Sequence, residues 1–378
     1  MTDEDLHRHL IGRQGSRRDL NTPVLVIDRD ALDRNVACMA AFARAHGLAL
    51  RPHAKTHKSA DVARRQIAAG AVGQCCAKIG EAEALAAEGI GGLLLTSPVV
   101  SEPAIARLAA LHARSDGLIA TIDHPDNARA IAAAVAAQGR APLTVLIDVD
   151  PGIHRTGVAS PEAAVALLGV IRGLPALAYA GVQFYCGSQQ HIADYDARAA
   201  AMAEKAAYLR TVIAALTAAG GAPRIVSGGG TGTHRIDATL GLFTELQVGS
   251  YVFMDDQYRA CALTEADDAP FETALMIDAR VVSVNAPGMA TIDAGLKAMA
   301  TDAGPPRVLA GADDGARYAF MGDEQGALIG GEALRLADMV TLAAPHCDPT
   351  VNLYDHYHVV SGNDLVDIWP VTARGRSR

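Results

Sequence analysis

One unit recurs eight times along roughly the first 250 residues: a short β-rich run, a polar or glycine-rich turn, then an alanine-rich helical stretch. The runs lie at 24–27, 48–53, 72–77, 92–96, 118–122, 143–149, 179–185 and 224–227. Helical stretches at 30–46, 59–69, 80–88, 103–113, 124–137, 161–172 and 195–219 separate them. Several open on Ser or Asp and close on Gly47, Gly70, Gly89, Gly139, Gly173 or Gly220. Eight β/α units predict a closed parallel (β/α)8 barrel of the TIM type. An open doubly wound sheet would carry a GxGxxG turn after its first strand, and none follows residue 27.

The pattern changes near residue 250. Runs at 273–285, 289–292 and 338–342 have β character, their turns are rich in Gly, Pro and Asp, and no long helical stretch remains. A final pair of runs, 357–360 and 365–369, reads as a hairpin around Gly362-Asn363. The expected organisation is an α/β barrel over 21–250 and a smaller β-rich domain over 251–378. The polar first 20 residues are expected to pack against the second domain.

Charge and composition exclude several function classes. A net charge of -9 argues against a nucleic-acid surface. No apolar stretch approaches the ~20 residues that span a bilayer, and the polar start (Met1-Thr2-Asp3-Glu4-Asp5) lacks a signal-peptide core. The six cysteines form no CxxC pair and no disulfide framework in a chain this long, so a reducing cytoplasm is expected.

Chemistry concentrates where such a barrel places it, at the C-terminal ends of the strands. The segment Arg51-Pro52-His53-Ala54-Lys55-Thr56-His57-Lys58 closes the second run. In extended geometry His53, Lys55 and His57 share a face. Neighbouring positive charge from Arg51 and Lys58, with partial burial, is expected to favour a neutral Lys55 amine. A neutral amine is what Schiff-base formation with an aldehyde cofactor requires. After the eighth run comes Ser227-Gly228-Gly229-Gly230-Thr231-Gly232-Thr233, whose backbone N–H groups and hydroxyls suit a phosphate. Arg155 follows the sixth run, and Tyr185, Ser188 and His191 follow the seventh. In the second domain, His346-Cys347-Asp348 places a His and an Asp on one face of an extended segment, within reach of one divalent cation, with Asp323 as a possible third partner.

Taken in order, these blocks resemble the alanine racemase-like (fold-type III) pyridoxal-phosphate enzymes. The resemblance is narrower to the branch of D-threonine aldolase, D-3-hydroxyaspartate aldolase and eukaryotic-type D-serine dehydratase. It rests on Thr22-Pro23, 51–58, Cys75-Cys76 with Lys78, 227–232, Gly249-Ser250-Tyr251 with Met254-Asp255, 293–297, Asp323-Glu324 and 346–352. The resemblance implies pyridoxal 5'-phosphate on Lys55. It implies a phosphate site from Gly228, Gly229, Gly230, Thr231, Gly249 and Ser250, with Ser227 and Tyr251 also binding the cofactor and Arg155 and Tyr185 near the ring. It implies a divalent metal on His346 and Asp348, proton transfer by His191, and a homodimer.

By the same resemblance the dehydratases carry His-x-Cys at the metal site and the aldolases His-x-Asp. Asp348 stands in that place here, and a carboxylate is the harder ligand, so Mn is favoured over Mg, Co, Ni or Zn. Cys186 stands where related aldolases often carry His or Gln. The expected reaction is retro-aldol cleavage of a D-β-hydroxy-α-amino acid, D-threonine-like, to glycine and an aldehyde. The alternatives are D-3-hydroxyaspartate as the aldol substrate, and a metal-dependent dehydratase acting on D-serine or 3-hydroxyaspartate. A racemase and a non-enzymatic cofactor carrier are less favoured, the carrier because its kind resembles the barrel alone.

Overall fold

Two sheets share the strands. The computed structural model describes residues 2–266, 268–330 and 333–378. In chain order the strands are β1 (Val24–Asp28), β2 (Ala49–Leu50), β3 (Cys75–Cys76), β4 (Leu94–Leu95), β5 (Ile119–Ile122), β6 (Leu143–Asp148), β7 (Leu177–Phe184), β8 (Ile225–Gly228) and β9 (Glu245–Leu246). They continue with β10 (Leu275–Ala286), β11 (Met289–Ile292), β12 (Val308–Ala310), β13 (Arg317–Phe320), β14 (Gly326–Ile329), β15 (Met339–Ala343), β16 (His356–Ser361) and β17 (Asp364–Pro370).

The barrel is eight parallel strands in the order β2-β9-β8-β7-β6-β5-β4-β3. A parallel bridge between His53 and Cys75 joins its two ends. Side-chain alternation sorts the barrel core into two layers. Cys75, Leu94, Ile119, Leu146 and Ala180 form one apolar cluster. Their neighbours Cys76, Leu95, Ala120, Val145 and Ile147 join the larger core with the surrounding helices. Inside the barrel the apolar layer gives way to a chain of buried polar side chains. Ser227 Oγ donates to Glu245 Oε1 at 2.6 Å, and Gln247 Nε2 donates to Ser227 Oγ at 2.9 Å and Gln183 Oε1 at 3.2 Å. Gln183 Nε2 donates in turn to Asp148 Oδ1 at 2.8 Å.

One barrel strand differs from the sequence reading. The run 24–27 does not enter the barrel: β1 pairs antiparallel with β10 and parallel with β16 in the second sheet. The eighth barrel strand is instead β9, which pairs β8 and β2. A run buried on both faces carries no mark of which sheet it joins, and β9 is a two-residue ladder of Glu and Leu with no β-branched signal. The second sheet runs β13-β14-β11-β10-β1-β16-β17, with β15 pairing β10 and β12. Its β16–β17 hairpin turns through residues 362–363. Leu10 and Leu20 pack with Val24, Val26, Met276 and Leu365, so the N-terminal segment lies on this sheet.

The recount moves the chemistry within the barrel. Lys55 now follows the first barrel strand. The turn at 228–231 follows the seventh and the turn at 249–251 the eighth, the two loops that most often form a phosphate site in such barrels.

Candidate active site

The chain turns tightly after the His53 bridge, through residues 54–57. This turn breaks the two-residue alternation expected there. His53 and Lys55 line a cavity of about 220 Å³ with Ala77, Thr96, Ser97, Arg155, Gln183, Tyr185 and Gln247. His57 turns away into the core, and burial lowers its pKa to about 4. His53 is buried too, which pulls its pKa to about 3. Its Nδ1 accepts the Lys55 N–H at 3.4 Å, so Nε2 carries the proton and donates to Thr96 Oγ1 at 3.1 Å.

The expected neutral Lys55 is not found. Its Nζ is paired with Asp348. Burial acts to lower the lysine pKa, but the Asp348 charge, and next Tyr185, more than offset it and raise it overall. The basic neighbours invoked from the sequence do not reach Lys55. Arg51 forms a two-pronged pair with Glu245 at 3.1 Å, and Lys58 pairs with Glu81. Both pairs are nearly closed to solvent, with side chains 4–7% exposed. Those carboxylates lie 194 and 23 residues away in sequence, beyond any local reading. Arg155 keeps the cavity position; its guanidinium lies 5.6 Å from the centre of the Tyr185 ring. Breaking the Arg51 pair has a measurable cost. Glu245→Ala is expected to destabilise the fold by about 3–5 kcal/mol, read from urea unfolding, because it strands a buried guanidinium.

Two glycine turns meet, and the second packs against the turn that carries Lys55. Gly229 has φ +73°, and a Cβ there would sit 2.6 Å from Asp237 Oδ2. A Cβ on Gly228 would lie 2.1 Å from Phe184 O, and one on Gly249 2.7 Å from Thr56 Oγ1 and 3.5 Å from the His53 Cβ. Only glycine allows these backbones so close. Tyr251 N–H donates to Thr231 Oγ1 at 2.9 Å and ties the turns together. The Ser227 hydroxyl is committed to Glu245 and Gln247, and the Tyr251 hydroxyl accepts from Gln66 at 3.0 Å, both inside the fold. These glycines pack against the chain's own Phe184, Asp237 and Thr56, and a phosphate-bearing aldehyde on Lys55 would meet the two turns through their remaining backbone N–H groups.

The segment after β15 reaches Lys55 through Asp348. The segment at 346–348 is not the extended strand expected: Cys347–Val351 is a one-turn helix with His346 as its N-cap. Pro349 is tolerated there because a first turn needs no N–H from it. Asp348 still reaches Lys55, and the buried Cys347 side chain points elsewhere, into the core. Burial would raise the Asp348 pKa, but Lys55 and then His346 hold it down to about 2. Asp348 Oδ1 is buried without a hydrogen-bond partner. His346 Nδ1 lies 2.6 Å from Asp302 Oδ2, an arrangement that leaves Nε2 free to ligate a cation. Among the described residues no group of three His, Cys, Asp or Glu gathers around one point. Asp323 does not join these donors; it faces Lys297 at 4.0 Å on the surface.

His191 is exposed, and its ring packs on Tyr258 with centroids 4.6 Å apart. Partial burial, then the charges of His346 and Lys55, lower its pKa. Several site residues escape sequence reasoning. Thr96, Gln183 and Gln247 are polar residues at strand ends, and recognising β9 as a barrel strand would have exposed Gln247. Asp302 is a lone acid in a loop and carries no local signal.

Residues 27–257 match the model of the alanine racemase N-terminal domain, and residues 274–360 match the putative serine dehydratase domain. A 3-hydroxy-D-aspartate aldolase from Paracoccus denitrificans (strain Pd 1222) is 38% identical over 95% of this chain and 93% of its own. A D-threonine aldolase from an Arthrobacter species is 38% identical over 95% and 94%. The crystal structure of D-threonine aldolase from Filomicrobium marinum superposes with a TM-score of 0.91 at 36% identity, covering 96% of this chain and 97% of that one.

Proposed function

The chain belongs to the alanine racemase-like family of pyridoxal-phosphate enzymes, and on that premise we propose that it is an aldehyde-lyase cleaving D-β-hydroxy-α-amino acids to glycine and an aldehyde. The single observation that carries the reading is Lys55 on the cavity wall beside Arg155 and Tyr185, with Asp348 paired to its amine and Gly249 packed against His53 and Thr56 in the same turn. The relatives named as aldolases support the reaction class.

Pyridoxal phosphate, when bound, supplies an aldehyde for the amine and a ring that takes up the electrons of the broken Cα–Cβ bond. The turns at 228–231 and 249–251 would hold its phosphate through their uncommitted backbone N–H groups. Lys55 is the residue that would anchor it covalently. A divalent cation, Mn in this reading, would draw negative charge onto the substrate β-oxygen. His346 Nε2 and Asp348 Oδ1 are the atoms left to hold it. His191, its pKa lowered, is neutral near pH 7 and accepts the β-hydroxyl proton. Arg155 remains in the cavity to meet a substrate carboxylate or the ring hydroxyl. A barrel domain over 21–250, with β1 given up to the second sheet, a metal-bearing domain over 251–378 and a homodimer belong to the same proposal. Among the described residues no helix is long and apolar enough to cross a membrane.

The match of residues 274–360 to a dehydratase domain supports one second reading, β-elimination. One assay separates the two. With D-threonine, cleavage is expected to release acetaldehyde and glycine in equal amounts. Release of 2-oxobutyrate and ammonia would replace the aldolase by the dehydratase. Rates on D-threonine, D-phenylserine and D-3-hydroxyaspartate, measured side by side, then identify the favoured β-substituent.

A further inference from the structure

Asp255 is a carboxylate that the proposed chemistry does not use. It is 1% exposed and lies in the loop between the barrel and β10. One oxygen, Oδ1, accepts the Tyr258 N–H at 3.2 Å and caps the single-turn helix Asp256–Arg259. The other, Oδ2, accepts the Cys347 N–H at 3.1 Å. Each bond leads to a different part of the site. Tyr258 is the residue on which the His191 ring rests, and Cys347 is flanked by His346 and Asp348.

We infer that Asp255 is a positioning residue: by bridging the Tyr258 and Cys347 backbones, it fixes the His191 platform relative to the metal-donor segment. The inference rests on the proposed metal site and goes beyond it. Helix capping alone does not account for a carboxylate here. Serine caps a helix as well and brings no charge to desolvate. What a carboxylate adds is a second acceptor, and that acceptor is spent on the Cys347 N–H, in the peptide that follows His346 and precedes Asp348 by one residue. A change at Asp255 would tilt that peptide and displace both donors at once. Groups that orient metal ligands in this way typically govern affinity by 10–100-fold.

The test uses the cofactor-loaded enzyme and Mn²⁺ alone, titrated by the EPR signal of the free ion. Asp255→Ser keeps an acceptor for Tyr258 and loses reach to Cys347. It is expected to weaken Mn²⁺ binding about tenfold or more while the cofactor absorbance stays intact, and to recover most of kcat at saturating Mn²⁺. Asp255→Ala loses both bonds and is expected to stay low in kcat even at saturating Mn²⁺. If Asp255→Ser does not fold, Asp255→Asn takes its place with the same readout. Mn²⁺ affinity within twofold of the unaltered enzyme, with only thermal stability reduced, would overturn the inference. His346→Ala runs alongside. If it too binds Mn²⁺ normally, the metal reading falls and this inference with it. If it loses Mn²⁺ and Asp255→Ser does not, the positioning role falls alone.

Discussion

Alanine at position 55 is expected to lower turnover by about 10⁴-fold or more, the scale on which deletion of a covalent catalytic group acts. The visible absorbance of the lysine–cofactor bond should vanish with it. Alanine alone confounds two effects, because the Lys55 ammonium also balances Asp348, whose side chain is 15% exposed. Stranding that charge would disturb the metal segment by itself. Lys55→Arg separates the two. A guanidinium keeps a positive charge in reach of Asp348 and does not form an imine at neutral pH. The expected result is that the arginine variant folds as the parent does, yet is as inactive as the alanine variant and equally colourless. Visible absorbance persisting in both variants after gel filtration would remove Lys55 from the reaction.

That lysine was legible because its information is local. A basic segment at a strand end and a glycine run six helices later are visible in the sequence, and the barrel puts both at the C-terminal ends of its strands. Its protonation was not legible. The charges beside it in sequence are neutralised elsewhere, Arg51 by Glu245 and Lys58 by Glu81, and the charge that governs it arrives from Asp348, 293 residues on. Electrostatics depend on who is near in space, which a linear reading supplies only within one turn or strand.

The strand count shows the same limit from another side. Eight units were read and eight strands form the barrel, but the first unit read, β1, sits in the other sheet between β10 and β16. Its burial by both neighbours made it resemble a barrel strand. The true eighth strand, β9, is held by β2 and β8 and not by its own composition. The His346-x-Asp348 pair shows the limit in local geometry. Two-residue alternation was assumed, whereas a capped helical turn delivers Asp348 to Lys55 and leaves His346 on Asp302.

The donor pair carries the second large effect. Lewis-acid stabilisation of a developing oxyanion is worth several kcal/mol, so alanine at His346 or Asp348 is expected to cost about 10³-fold in kcat/KM. Cofactor absorbance should survive, since the glycine turns and Lys55 are untouched. Dialysis of the parent enzyme against strong chelator should reproduce the loss, and added Mn²⁺ should restore the parent but not the variants. Asp348→Cys asks a sharper question, because it changes the ligand without removing it. Thiolate is the softer donor and favours Zn²⁺ over Mn²⁺. The variant should therefore regain more activity with Zn²⁺ than with Mn²⁺, reversing the parent's order. The carboxylate has one oxygen on Lys55 and the other buried without a partner, so position 348 faces both the amine and the cation. Full activity of either alanine variant in chelator would mean that Asp348 serves Lys55 alone and that no metal takes part.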